Sequence, residues 1–257
     1  MASSDSAQRK RELLRRRLAA QGLAGGSAAG EESARPRREP GRGYPASRGQ
    51  RRMWFLQRLR PGSAAYTIST AFELTGPLDL DALHGAVRAV ARRHEILRTT
   101  YRVRADGQLE QVPRDDVEPA WHSVDLSAEP AARHADRTHK IAIEAARRPF
   151  DLAVESPLRV TVVRHAPDRH VLALAAHHIA WDDACWDVFF GDLLAHYDHR
   201  VGDHRVGDHR DASVGDGAVE RPAPAPQFLD AALATPTAPA AADLAFWHRT
   251  LSPLAAA

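Results

Sequence analysis

In the stretch His177-His178-Ile179-Ala180-Trp181-Asp182-Asp183, two imidazoles and two carboxylates stand where an apolar run breaks. An imidazole titrates near neutral pH and can take or give a proton, while a carboxylate can orient it or cap a helix. The run before it, Val171 to Ala176, is short and almost wholly apolar, as a buried strand is. After it, Trp186, Phe189, Phe190, Leu193, Leu194 and Tyr197 recur at helical spacing. The segment therefore reads strand, tight loop, helix. A strand end holds a histidine still while leaving it open to a ligand.

Side chains alternate along a strand, so His177 and His178 are expected on opposite faces. One metal shared by both is then not expected, and neither a His-Glu-x-x-His helix nor paired-cysteine spacing occurs. Asp182 lies four residues beyond His178, within reach of a loop that folds back. Either it or Asp183 is placed to cap the following helix. On these residues alone, a core histidine with a helix cap and a catalytic histidine stand as equal readings.

Two upstream segments separate them: Tyr44-Pro45-Ala46-Ser47-Arg48-Gly49-Gln50-Arg51-Arg52-Met53-Trp54-Phe55-Leu56 and Arg93-His94-Glu95-Ile96-Leu97-Arg98-Thr99-Thr100-Tyr101. With the seven-residue motif they resemble, in order and approximate spacing, the opening motifs of nonribosomal peptide synthetase condensation domains. That pattern runs Ser-x-x-Gln-x-Arg-Met-Trp-x-Leu, then Arg-His-Glu-x-Leu-Arg-Thr-x-Phe, then His-His-x-x-x-Asp-Gly. The resemblance covers roughly residues 44–254, and three ordered motifs are far more specific than one.

The resemblance implies an α/β fold, a chloramphenicol acetyltransferase-like lobe with a mixed sheet flanked by helices. In that family two such lobes form a V, with the active site in the tunnel between them. Residues 44–257 match the N-terminal lobe, and the C-terminal lobe is absent from the sequence, so a fragment, a truncated reading frame or one half of a split enzyme is expected.

The implied chemistry is amide formation. The amine of a downstream aminoacyl thioester attacks an upstream acyl thioester, each carried on the phosphopantetheine of a carrier protein. Carried over by motif position, His178 is the catalytic group and His177 is structural. Asp182 matches an aspartate that holds the loop through an arginine, for which Arg98 is a candidate partner. Asp183 stands where the family has glycine, and Arg93, His94 and Glu95 are structural braces at a helix end. No cofactor is bound directly and no metal is expected. The implied partners are peptidyl and aminoacyl carrier proteins, adjacent synthetase domains or subunits, and a separate C-terminal lobe. The alternative is a non-catalytic condensation-like domain that binds carrier proteins or recruits a tailoring enzyme, which Asp183 and the chain length both permit.

Composition bounds the rest. Lys and Arg number 35 against 33 Asp and Glu, giving a net charge of +2. The densest basic run is in the N-terminal tail and lacks interleaved aromatic platforms, which argues against nucleic-acid binding. No apolar run approaches the ~20 residues of a membrane span and no signal-peptide core follows the start, so a cytoplasmic protein without membrane contact is expected. Cys185 is the sole cysteine, expected as a buried, unreactive thiol beside Trp186.

Several elements must position the motifs. A basic helix is expected within 1–23, with Leu13, Leu14, Leu18 and Leu23 among arginines, and a flexible linker at 24–43. Tyr66 to Leu74 alternates as a strand closed by Gly76-Pro77, and Asp79 caps a helix carrying Leu80, Leu83, Val87, Val90, His94 and Leu97. Residues 99–104 and 108–112 form a hairpin across Asp106-Gly107. Ala131 to Arg147 is a helix, and 158–164 pairs with 169–177 across Pro167-Asp168. A low-complexity insertion is expected at 199–226, where His-Arg-Val-Gly-Asp repeats, and order restarts at Gln227-Phe228-Leu229.

Overall fold

The computed structural model describes residues 41–208, 226–234 and 241–255. The basic helix expected within 1–23, and the linker at 24–43 up to residue 40, lie outside the described residues.

Two sheets organise the lobe. The larger has the order β2-β7-β6-β5, built from β2 (Thr67–Thr75), β5 (Ala120–Asp125), β6 (Leu158–Ala166) and β7 (Arg169–His177). The β5–β6 pairing is parallel and the other two are antiparallel, so the sheet is mixed. The smaller sheet is β1 (Tyr44–Pro45), β4 (Leu109–Pro113) and β3 (Thr99–Val103), in the order β1-β4-β3. The expected hairpins form in both. Gly107, at φ 82°, occupies the left-handed turn position between β3 and β4, where a side chain would be strained.

Burial of β7 on both faces explains its unbroken apolar run. Leu172, Leu174 and Ala176 join Leu158, Val160 and Val162 of β6 in the main core. Against this face lie α2 (Leu80–Arg93) and α4 (Cys185–Asp208), through Leu83, Val87 and Val90 on one and Phe189 and Leu193 on the other. On the opposite face Val163 and Val171 meet Leu126 and Ile141, the latter from α3 (His134–Arg147). A three-layer α/β lobe results.

Local signals in the sequence fix the helix starts. The Asp79 carboxylate accepts a 2.8 Å hydrogen bond from the Ala82 amide and caps α2, as expected. At α1 (Arg48–Leu59) the Ser47 hydroxyl accepts from the Gln50 amide at 3.2 Å, while Gln50 Oε1 accepts from the Ser47 amide at 2.8 Å. This reciprocal capping box satisfies two of the orphan donors of a helix start.

Several helical expectations shift: α2 ends at Arg93, leaving His94 as its C-cap and Leu97 in the 3₁₀ turn that follows, and α3 starts at His134 after a 3₁₀ turn at 131–133 rather than at Ala131. Leu194 falls off the buried stripe of α4 and is exposed. The helix also runs on past Tyr197 to Asp208, into the segment expected as a low-complexity insertion. The glycines of the repeat do not end it, because an isolated glycine weakens a helix by only about 1 kcal/mol. Residues 209–225 of the expected insertion lie outside the described residues; Gln227 leads into α5 (Phe228–Ala234), and α6 (Ala241–Ala255) covers the Phe246 to Leu251 segment. No helix among the described residues is long and apolar enough to cross a membrane.

Candidate active site

Strand β7 ends at His177, paired opposite Thr67 of β2, and delivers the histidine loop at the margin of the larger sheet. The two imidazoles separate as alternation requires. His177 is 1 % exposed, edge-on to Phe150 with ring centroids 5.8 Å apart, whereas His178 is exposed. Their next neighbours anchor the loop in two cores. Ile179 is buried in a cluster with Tyr101, Phe150 and Leu152, against which Met53 and Trp54 of α1 pack. Trp181 is buried in the main core between Trp186 and Phe189.

Hydrogen bonding assigns opposite tautomers to the pair. A carbonyl only accepts, so the 2.6 Å contact between His178 Nδ1 and the Trp181 carbonyl oxygen places the proton on Nδ1. His178 Nε2 is left with its lone pair and no partner among the described residues. His177 Nδ1 instead accepts a 3.0 Å hydrogen bond from the Ile179 amide, so its proton lies on Nε2, which is buried without a partner. Burial, with lesser contributions from His178 and Arg159, pushes the His177 pKa down to about 4. His177 is therefore neutral at physiological pH.

A cavity of about 480 Å³ opens in front of His178. Its walls come from the start of α1 (Ser47, Gly49, Gln50, Met53), from His94 and Ile96 between α2 and β3, from the loop 178–182, and from Gln227 and Phe228. All three motifs thus converge on one opening. Adjoining it is an apolar cavity of about 260 Å³ with Val90, Leu97, Val188 and Phe189 in its walls; His94, Ile96, Ala180, Trp181 and Cys185 border both. Cys185 is half-buried, and burial raises its thiol pKa, keeping it protonated.

The Asp182 and Arg98 side chains do not pair. Asp182 Oδ1 accepts from the Ala184 amide at 3.1 Å and from the Cys185 thiol at 3.2 Å, closing the turn into α4. Arg98 Nη1 instead donates to the Asp115 carboxylate at 2.7 Å and to the Arg114 carbonyl at 3.1 Å. Arg98 ends a short 3₁₀ turn directly before β3, and this position sends its guanidinium to the loop leaving β4 rather than to the histidine loop. Asp183 is exposed and makes no hydrogen bond or ion pair among the described residues.

The second motif contributes differently at each residue. Arg93 Nε and His94 Nε2 both reach Asp192 Oδ2 on α4, at 3.0 and 2.6 Å. The Glu95 carboxylate lies 3.9 Å from Arg98, and its carbonyl accepts from the Thr99 hydroxyl at 2.7 Å. Among the described residues no group of three or more His, Cys, Asp or Glu side chains is arranged to hold a metal ion.

Three contributors escaped the sequence reading. Gln50 Nε2 donates to the Tyr101 hydroxyl at 3.0 Å and to Gln111 Oε1 at 3.2 Å, and Gln111 in turn donates to the Pro45 carbonyl, so a buried polar chain fixes α1 on the smaller sheet. The Ser-x-x-Gln spacing was its visible signal. Gln227 accepts from the Glu95 amide at 2.9 Å and donates to the Arg93 carbonyl at 2.9 Å, reading backbone that no sequence pattern marks. Asp192 sits next to Leu193 on the buried side of α4, and a carboxylate in that place was the signal for a cationic partner.

Comparison with known proteins agrees with this geometry. A family profile described as Condensation domain matches residues 42–220, well over half of the chain. The chain is 38% identical over 226 residues to the isonitrile lipopeptide synthase of Mycobacterium tuberculosis, covering 81% of this chain and 8% of that protein. Among solved structures it is similar to the X-domain in its complex with OxyB from teicoplanin biosynthesis, with a TM-score of 0.59, 31% identity, and coverage of 77% of this chain and 38% of that one. The starter condensation domain of rhizomide synthetase RzmA shares the fold with a TM-score of 0.58 at 20% identity, covering 63% of this chain and 39% of that one. The chain thus spans under a tenth of the curated relative and about two fifths of each solved chain.

Proposed function

The chain belongs to the condensation-domain family, and on that premise we propose that it forms the histidine-bearing wall of a site joining carrier-bound acyl and aminoacyl thioesters through an amide bond. The observation that carries this reading is His178 itself. Its Nδ1 is held by the Trp181 carbonyl, and its Nε2 is unoccupied at the wall of a cavity that a pantetheine-tethered chain can enter.

In this mechanism the amine nitrogen attacks the thioester carbonyl while Nε2 accepts an N–H proton. The tetrahedral intermediate then collapses, the C–S bond breaks, and the proton passes to the departing thiolate. A positioned general base contributes about 10²- to 10⁴-fold. An α-amine with a pKa near ~8 is already partly neutral at pH 7, so alignment of the two arms contributes alongside deprotonation. Phosphopantetheine is the arm of the substrates, not a resident group. The partners are carrier proteins and neighbouring synthetase domains in the cytoplasm, and a second lobe closes the far side of the cavity.

The test is peptide transfer between loaded carrier proteins, with the chain assembled beside its second lobe. His178→Ala should abolish transfer and leave carrier binding intact; undiminished transfer removes His178 from the mechanism.

One observation favours a second reading, a recruitment platform without transferase activity. The similarity to an X-domain, whose structure is a complex with OxyB, runs at 31% identity, and Asp183 occupies the position of the family glycine. On this reading the wild-type assembly binds a partner enzyme and transfers nothing, and Asp183→Gly does not restore transfer.

A further inference from the structure

His94 borders both cavities, and one of its nitrogens is spoken for. Asp192 Oδ2 accepts a hydrogen bond from Nε2 at 2.6 Å, and Arg93 Nε donates to the same oxygen at 3.0 Å. A carboxylate oxygen accepts, so this contact places a hydrogen on Nε2, and the neutral ring then carries its lone pair at Nδ1. That atom has no hydrogen-bond partner among the described residues. Nor does it belong to their buried, unpartnered polar atoms, so it meets solvent.

Resting on the reading of the site given above, we propose that His94 is a second substrate-binding imidazole, oriented by Asp192, whose Nδ1 accepts a hydrogen bond from an N–H of the aminoacyl substrate. The ring stands at the border between the two cavities. A ligand held there places its polar N–H groups in the larger cavity, before His178, and its apolar side chain in the smaller, among Val90, Leu97 and Phe189. The two histidines present opposite nitrogens to one ligand. His178 offers Nε2 because a carbonyl holds its Nδ1, and His94 offers Nδ1 because a carboxylate holds its Nε2. Asp192 is the positioning residue of this pair.

The probe is leucyl-pantetheine with an amide in place of the thioester, titrated into the chain while imidazole ¹⁵N resonances are followed. The Nδ1 signal of His94 should shift with saturation, together with the Nε2 signal of His178. His94→Gln keeps a donor for Asp192 but removes the ring acceptor. It should weaken binding roughly threefold to tenfold, the size of one net hydrogen bond, with the melting temperature and the His178 response unchanged. Asp192→Asn retains an acceptor but loses the charge, and should let the His94 proton distribute over both nitrogens. A His178 response with a silent His94, or wild-type affinity in His94→Gln, overturns the proposal and leaves the reading of the site standing. Silence at both rings overturns the two together.

Discussion

His177 and His178 are adjacent in sequence and opposite in tautomer: the first accepts at Nδ1 from the Ile179 amide, and the second donates from Nδ1 to the Trp181 carbonyl. Long-range ¹H–¹⁵N correlation spectra of the imidazoles should therefore show the proton on Nε2 of His177 and on Nδ1 of His178. Matching tautomers would refute the hydrogen-bond arrangement of the loop.

Protonation of His177 should weaken the fold. Its folded pKa of about 4 lies below the ordinary value of 6.5, so the unfolded chain binds the proton more readily. The contribution is complete above about pH 6.5 and is lost as pH falls towards 4, for a total on the order of 3 kcal/mol. The pKa values of His165, His170 and His196 are also lowered by burial and act in the same direction. Urea midpoints at pH 4.5 and 7.5 measure the sum. His177→Leu should flatten that difference, while lowering stability at pH 7.5 by about 1–3 kcal/mol because the Ile179 amide loses its acceptor.

Removal of the Gln50 side chain should be severe for a residue in a surface helix. Gln50→Ala strips partners from the Tyr101 hydroxyl, the Gln111 carbonyl and the Ser47 amide. Each buried group left unsatisfied costs about 1–3 kcal/mol. Chemical denaturation should show the drop, and a change below about 1 kcal/mol would mean that water replaces the network.

Gln227→Ala should act locally. It deletes both bonds that tie α5 to the backbone of Arg93 and Glu95. The Glu95 amide should exchange with solvent faster by roughly fivefold, as for loss of about 1 kcal/mol of local protection, while strands β6 and β7 keep theirs. Unchanged exchange at Glu95 would show that α5 is held by other contacts.

The sequence made some of this legible and hid the rest for physical reasons. Short-range signals worked: the turn at Asp106-Gly107, the Asp79 cap and the apolar run of β7 are each decided by neighbours within a few residues. The motifs singled out both His178 and His94, the latter as a brace, and both border the same cavity. Pairing between distant charges was not legible. Arg98 had several carboxylates within reach of an unfolded chain, and only the direction of β3 and β4 selects Asp115 over Asp182. The Gln227 contacts were hidden more deeply, because its partners are backbone atoms, which every residue has.

Ile179 is seated in one hydrophobic cluster and Trp181 in another, with the exposed imidazole one residue before the first of these anchors. The exposed ring hangs from a bridge with a footing on each bank. A void opened at Leu152, far along one bank, or at Phe189 on the other, would let its footing settle and tilt the ring. Substitutions remote from any ligand are then a route to tuning this site, and injury to either cluster should register at His178 before the fold itself gives way.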